Sequence, residues 1–468
     1  MAIRFVLNGS PIEVNEAPLH STLLQWLRAN GYAGTKEGCA EGECGACAVA
    51  LIASDPGAAG SRFEPVNSCL LPLCAVDGRE VVTVEGVARS AEQLHPVQEA
   101  MVAQGGSQCG YCTPGFVVSL FCEYYRPGRT EFDPESISGN LCRCTGYRPI
   151  LDVGRNLPSP EPHDERLVQL QRSTPAMSSV RNGAGGFERP TSLTELWQAF
   201  SARPDAVVLS GGTDLLVYAN QRHQRWRALV SIEAIAELQE LSSTDEEIVL
   251  GAAVPLTRVE RWISRNAPEL RLLEELFPLF SSRLIRNRAT LGGNLATASP
   301  IGDSASALLA LGASVELVSR AGARRVPLAE FFTGYRRTVL QAQELIRAIC
   351  IPRPVPEVQR FYKVSKRVLD DISTVAAAFA LSLEADGLVR RFGAAFGGIA
   401  ATPLAAPSLE RLALGKPWDE ATLDVLLEEA PHIGTPQDDF RGSADYRRAM
   451  VGKLLEKFFW ETSGEASE

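Results

Sequence analysis

Four cysteines carry the first recognisable chemistry of this chain. Cys39, Cys44 and Cys47 stand in the run Gly38-Cys-Ala-Glu-Gly-Glu-Cys-Gly-Ala-Cys47, and Cys69 follows with 21 residues between it and Cys47. C-x4-C-x2-C with a distant fourth cysteine is the plant-type spacing for a [2Fe–2S] cluster. One loop supplies three thiolates, so the backbone must wrap closely around the inorganic sulfides. Gly38, Gly42 and Gly45 suit that wrapping, because glycine accepts positive φ and close approach. Backbone N–H groups then face the sulfurs and help set the potential. Plain buried thiols or a zinc site are the rival readings, and the interleaved glycines disfavour both. Cys69 is preferred over Cys74 as the fourth ligand. It directly follows the strand-like Val66-Asn67, whereas Cys74 lies in an apolar stretch and reads as a core thiol.

Two further cysteine pairs follow. Cys109-Gly-Tyr-Cys112 precedes Thr113-Pro114-Gly115, and Cys142-Arg-Cys144 precedes Thr145-Gly146-Tyr147. Proline is tolerated just inside a helix start, where no backbone donor is needed. Each pair would present two thiolates at a helix N-terminus, whose dipole favours the anion. On spacing alone both a second cluster and zinc stay open, since paired cysteines are the usual zinc signature. C-x-C is less usual for zinc, and the neighbouring plant-type loop favours the cluster. Cys122, among Phe116, Val117, Val118, Leu120 and Phe121, reads as core, as does Cys350 in Ile-Cys-Ile.

Several elements must position these groups. The chain has 468 residues, which suits three or four domains. It is 45% hydrophobic and 22% charged, with net charge −10. That acidity argues against nonspecific binding to nucleic acid or anionic lipid. No apolar run is long enough for a membrane span, and the N-terminus lacks a signal-peptide pattern. A cytoplasmic location is therefore expected. Ten of the eleven cysteines precede residue 145, and in a reducing compartment that favours metal ligation over disulfides. Residues 1–14 alternate about Asn8-Gly9 and predict a hairpin; 19–29 have helical spacing; 48–53 and 81–84 read as strands. Helices are expected at 96–104, 114–125, 134–139 and 146–155, and a linker over 157–180. Beyond Phe187 short strands alternate with helices, at 207–209, 229–232, 248–251 and 315–318. After a break at 352–357, strands are expected near 374–383 and 389–396, with helices after 418.

At this point the motifs resemble one family. The cluster loop, then Gln108-Cys-Gly-Tyr-Cys-Thr-Pro-Gly115, then Gly139-Asn-Leu-Cys-Arg-Cys-Thr-Gly-Tyr-Arg148 are similar to the iron–sulfur region of the molybdenum hydroxylases. Xanthine dehydrogenase and aldehyde oxidase are members. The resemblance implies a second cluster in a four-helix domain, nearer the molybdenum cofactor than the first, with Gln108 contacting the pterin. It continues in Val208-Leu209-Ser210-Gly211-Gly212-Thr213-Asp214-Leu215, which looks like the family's FAD pyrophosphate loop. Such a strand end lets backbone N–H groups approach phosphate oxygens. It is not G-x-G-x-x-G, so no Rossmann domain is indicated. Thr290-Leu-Gly-Gly-Asn294 and Ser299-Pro-Ile-Gly-Asp303 match two more flavin elements, as does Phe331-Phe-Thr-Gly-Tyr-Arg336. By that resemblance Thr290, Gly293, Asn294, Asp303, Phe280, Ile346 and Lys363 are FAD contacts.

The resemblance implies a multidomain α+β chain. It would comprise a β-grasp plant-type ferredoxin domain (1–85), a helical [2Fe–2S] domain (86–157), a linker (158–180), an FAD-binding domain of the PCMH, vanillyl-alcohol oxidase-like type (181–355), and a C-terminal CO dehydrogenase flavoprotein-like α+β domain (356–468). It also implies a function. A large partner subunit would hold the molybdenum cofactor, in a heterotetramer of two small and two large chains. Fusion of clusters and flavin favours the xanthine dehydrogenase type: xanthine, NAD+ and water to urate and NADH, in purine catabolism. No catalytic residue for hydroxylation is expected on this chain, since cofactors carry the electrons. A hydroxylase subunit for an aldehyde or N-heterocycle, and a non-enzymatic iron–sulfur carrier or sensor, are the alternatives.

Overall fold

Asn8 and Gly9 both take positive φ, 51° and 82°. They close the expected hairpin between β1 (Ile3–Leu7) and β2 (Ser10–Val14), because a turn of this hand matches the twist of the strands. The computed structural model describes residues 2–54, 60–88, 90, 93–172, 177–180 and 186–463. The expected boundary at 180/181 adjoins residues outside that set. The chain gathers into two units, Met1–Ala236 with Ser282–Ala289, and Glu237–Ser281 with Thr290–Glu468.

In the first unit β3 (Ala48–Ser54), β4 (Ser61–Asn67) and β5 (Glu80–Val82) complete a sheet of order β2-β1-β5-β3-β4, with β5 parallel to β1. Helix Leu23–Ala29 lays Leu23, Leu24 and Leu27 into the same core as Ile3, Phe5 and Leu7. It starts four residues later than the leucine spacing suggests, because Thr22 and Gln25 form a reciprocal capping box. β4 escapes sequence reading because Pro65 sits in its middle. As an edge strand it tolerates the missing donor.

Helices Pro96–Ala103, Thr113–Tyr124 and Arg148–Asn156, and a 3-10 turn Pro134–Ile137, fall close to the expected segments. Residues 115–124 of the central helix are all buried. It packs on the sheet, with Phe121 4.8 Å from Phe63 between ring centroids, so tertiary packing bridges the sequence break at 85/86. The stretch expected as a linker departs from that reading. Asp164 caps a helix, Glu165–Leu170, and accepts from the buried Tyr125 hydroxyl at 3.0 Å. Leu170 is buried, and its carbonyl accepts from Ser61 Oγ at 3.2 Å. One capping carboxylate and one apolar residue order a run that has no apolar period.

Further along, β6 (Phe187–Glu188), β7 (Val207–Leu209) and β8 (Leu229–Ser231) make a parallel sheet of order β6-β8-β7. Helices Leu193–Ala202 and Leu215–Gln221 connect them. Segment Ser282–Ala289 returns to this unit: Asn287 Nδ2 donates to the Pro65 carbonyl at 2.7 Å, and Arg283 and Arg286 pair with Glu135.

The second unit holds an antiparallel sheet built from β9 (Leu241–Ser243), β10 (Glu247–Gly251), β11 (Ser314–Ser319) and β12 (Gly322–Pro327). A hairpin of β13 (Phe332–Gly334) and β14 (Arg337–Thr338) precedes the sheet's central strand β15 (Leu345–Pro352), giving the order β12-β11-β15-β10-β9. A second sheet, β16 (Val358–Val364), β17 (Val375–Leu383), β18 (Val389–Gly397) and β19 (Leu404–Ala405), runs antiparallel in chain order. Its core joins helix Ala444–Thr462 through Phe379 and Phe458, whose rings stack at 5.0 Å. Among the described residues no helix is long and apolar enough to cross a membrane.

Candidate cluster and flavin sites

The loop 38–47 brings its thiols together with Cys69 in two pairs. Cys44 lies against Cys39, and Cys69 lies against Cys47. The Cys44 bond, helped by N–H groups of Glu41, Cys44 and Glu43 and opposed by burial, lowers the Cys39 thiol to about 5. Cys47 is likewise lowered, first by Cys69 and then, against burial, by the Cys69 N–H and the Ser68 hydroxyl. The glycines are required here. A Cβ on Gly38 would lie 2.7 Å from Cys44 Sγ; Gly45, at φ 63°, meets the Gly139 carbonyl. These thiols fit a two-iron cluster, in which each iron takes two thiolates. Among the described residues no group of three or more His, Cys, Asp or Glu side chains is disposed around a single ion.

The second constellation repeats the pairing. Cys112 lies against Cys142 and Cys144 against Cys109. Cys112 is the residue that caps helix Thr113–Tyr124, and Tyr147, at φ 68°, caps Arg148–Asn156. Burial, then the bond to Cys142, pushes the Cys112 thiol up to about 12. Burial opposes the lowering of Cys142, which the Thr145 hydroxyl at 3.0 Å and the Thr145 N–H at 3.4 Å accomplish. Cys109, Cys144 and Gln108 are exposed, as are Tyr111 and Leu141, which adjoin Cys112 and Cys142.

Hydrogen bonds join the two sites. Leu141 N–H donates to the Cys44 carbonyl at 3.0 Å, and Cys142 is the next residue. Asn140 Nδ2 adds a bond to the Gly45 carbonyl at 3.1 Å, itself fixed by Ser119 Oγ at 2.7 Å. Cys74, Cys122 and Cys350 are buried apart from these pairs, as expected. Burial raises all three thiols, to about 12 at Cys74 and about 11 at Cys350.

The residues expected to contact flavin divide between the units. In the first, Val208 and Leu209 end β7; Ser210, Gly211, Gly212, Thr213 and Asp214 form the turn; Leu215 starts the next helix. Gly212 has φ 82°, and a Cβ on it would lie 3.3 Å from the Leu70 carbonyl, next to Cys69. A Cβ on Gly211 would strike the Arg288 carbonyl. Both glycines are therefore required by the close packing of the turn against the Arg288 and Leu70 backbone. In the second unit, Thr290 Oγ1 accepts from Gly293 N–H at 3.0 Å and caps helix Leu291–Ala296, and Asn294 Oδ1 accepts from Ser304 Oγ at 2.5 Å. Asp303 and Lys363 form a buried ion pair at 2.9 Å. Ser373 Oγ donates to Asp303 at 2.6 Å, and Lys363 Nζ donates to the Leu279 carbonyl at 2.8 Å, next to Phe280. The two charges therefore act on each other first, where the motifs suggested separate contacts. Ile346 is buried in β15, opposite Leu317.

Sequence reasoning missed a buried charge cluster under the flavin turn. Glu233 accepts from Arg79 Nη2 at 2.6 Å and Arg288 Nη2 at 2.8 Å. Arg189, fully buried, donates to the Asp77 carbonyl at 3.0 Å. Burial alone would raise Glu233; Arg79, Arg288 and Arg189 overcome it and hold the carboxyl at about 2. No local motif could have revealed four residues so far apart in sequence.

Family models match four successive stretches. These are a 2Fe-2S iron-sulfur cluster binding domain over 5–74, a [2Fe-2S] binding domain over 83–155, an FAD binding domain in molybdopterin dehydrogenase over 181–354, and a CO dehydrogenase flavoprotein C-terminal domain over 360–462. The xanthine dehydrogenase of Drosophila subobscura is 33% identical over 99% of this chain, which spans only 39% of that relative. Among solved structures, reconstituted CO dehydrogenase from Oligotropha carboxidovorans is 28% identical with a TM-score of 0.54, covering 59% of this chain and 97% of that one. Quinoline 2-oxidoreductase from Pseudomonas putida 86 is 27% identical with a TM-score of 0.55, covering 62% and 100%. Paired thiols at two sites and the matches to two iron–sulfur domains and an FAD-binding domain define a two-cluster iron–sulfur flavoprotein of multidomain α+β fold. The chain belongs to the molybdenum hydroxylase family and carries that family's two [2Fe–2S] domains and its FAD-binding domain.

Proposed function

We propose that this chain is the electron-transferring subunit of a xanthine dehydrogenase, acting with a larger partner that holds the molybdenum cofactor and oxidises hypoxanthine and xanthine. Bound, the clusters relay single electrons and the flavin delivers them in pairs to NAD+. Cys109, Cys112, Cys142 and Cys144 hold the cluster on the partner's side, with Gln108 reaching the pterin. Cys39, Cys44, Cys47 and Cys69 hold the other. The single observation that carries this reading is the Cys44 carbonyl bonded to Leu141 N–H, one residue from Cys142, which couples a ligand of each site. The approach of Gly212 to Leu70 supports the first cluster as the flavin's neighbour. The exposed Tyr111 and Leu141, next to Cys112 and Cys142, suit a partner's surface. In this reading 208–215 of the first unit are FAD contacts, as are Phe280, Thr290, Gly293, Asn294, Ile346 and the Asp303–Lys363 pair of the second, and two small and two large chains assemble in the cytoplasm.

Likeness to CO dehydrogenase and quinoline 2-oxidoreductase supports a second reading, in which the partner hydroxylates an aldehyde or N-heterocycle. The assembled complex, given xanthine and NAD+, separates the two. Urate and NADH formed in equal amounts is the expected result. Turnover of an aldehyde or heterocycle without xanthine turnover selects the second reading.

A further inference from the structure

Two consecutive side chains at the end of the helix that leaves the flavin turn hold the backbone of the first cluster loop. Asn220 Nδ2 donates to the Ala40 carbonyl and to the Cys69 carbonyl, each at 2.9 Å, and Gln221 Nε2 donates to the Cys39 carbonyl at 2.8 Å. The Ala40 bond is the informative one. The Ala40 carbonyl and the Glu41 N–H belong to one planar peptide and point in opposite directions. That Glu41 N–H points at Cys39 Sγ, 3.5 Å away. Ala40 also sits at φ 58°, a conformation that an alanine keeps only when its surroundings impose it. The chain Asn220 N–H to Ala40 carbonyl to Glu41 N–H to Cys39 sulfur is therefore continuous, and each bond polarises the next.

We propose that Asn220 is a positioning residue for the first cluster: by holding the Ala40 carbonyl it aims and polarises the peptide that donates to the Cys39 sulfur, and so raises that cluster's midpoint potential. The proposal rests on the reading of Cys39, Cys44, Cys47 and Cys69 as one cluster's ligands. A reduced cluster carries one more negative charge than an oxidised one, so a donor to its sulfur stabilises the reduced form. Loss of the donor lowers the potential. The second cluster, whose ligands Asn220 does not touch, keeps its own.

The test is a redox titration of the full-length protein followed by paramagnetic resonance, wild type against Asn220→Ala. Cys44→Ser first shows which signal belongs to the first cluster. The expected result is a negative shift of that cluster's midpoint and altered g-values in Asn220→Ala, with the second signal, flavin and total iron unchanged. A midpoint and g-values equal to wild type overturn the proposal. Where Asn220→Ala loses iron, Asn220→Ser, with one donor left, is titrated instead; a smaller negative shift is expected, and a wild-type midpoint again overturns it. If Cys44→Ser keeps both signals, the ligand assignment fails, which is a different outcome from an unshifted Asn220→Ala.

Discussion

Glu233→Gln is the substitution whose effect can be worked most directly from the geometry. The side chain is 9% exposed and faces Arg79, 12% exposed, and Arg288, 11% exposed, with fully buried Arg189 close by. The carboxyl lies at about 2 rather than the ordinary 4.5. That difference, at 1.36 kcal/mol per unit, corresponds to about 3 kcal/mol favouring the charged form. Burial, with Arg288 and Arg189 behind it, pulls the Arg79 guanidinium below its usual value even though Glu233 opposes the fall, so the cluster is already short of negative charge. Glutamine keeps the shape and strands the arginines, a class of change that costs about 3–5 kcal/mol. For a unit of this size each kcal/mol is worth roughly 2–4 °C. Calorimetry at pH 7 should show the transition of the first unit falling by about 6–20 °C. The pH dependence has a definite sign. Because the folded value is below the unfolded one, the contribution is complete above about 4.5 and is lost as pH falls from there toward about 2. The penalty of the variant should therefore be flat between pH 5 and pH 8. A drop under about 2 °C, or a penalty that shrinks across that range, would refute the reasoning. Adding Arg79→Met should restore part of the loss, because it removes one unpaired buried charge.

Other substitutions probe single groups. Cys44→Ser should lose one of two paramagnetic signals and half the iron while the other signal persists, as iron analysis and resonance spectra would show. Gly211→Ala places a methyl on the Arg288 carbonyl and should release most FAD, measured by absorbance after acid precipitation, with iron unchanged; full flavin content would contradict the turn's place in the FAD site. Lys363→Met leaves Asp303, 5% exposed, without its cation and should cost about 3–5 kcal/mol in the second unit, seen as an earlier thermal transition.

The parts legible in the sequence are those whose chemistry is local. Cysteine spacing picked out eight thiols that the fold brings together in pairs, because most of them stand within a few residues of another, and Asn8-Gly9 marked its hairpin for the same local reason. What the sequence concealed depends on distant partners. The helix at 165–170 exists because Tyr125 holds its capping Asp164, Ser61 donates to the Leu170 carbonyl and the Arg166 side chain donates to the Gly86 carbonyl. Strand β4 hides behind Pro65, whose edge position only the assembled sheet reveals. Glu233 and Asn220 look like ordinary polar residues in sequence. Their roles come from groups about 150 residues or more away, Arg79 in one case and the Ala40 and Cys69 carbonyls in the other. Asp303 and Lys363 were legible as a motif but not as a pair, since spacing in sequence carries no information on which charges meet.

The return of Ser282–Ala289 to the first unit has a consequence for how the protein is made. Ile285 packs against Gly42, and Asn287 ties down Pro65, so this short segment closes the outer wall of the first cluster loop. Cys69, which pairs with Cys47 of that loop, precedes Ala289 by 220 residues (289 − 69). At about 5–20 residues per second, roughly 10–45 seconds of translation separate them. The nascent chain therefore displays its cysteines with the wall still open. Cluster delivery during synthesis meets an accessible loop, and the eight residues that shut it arrive only after β7, β8 and the flavin turn have left the ribosome.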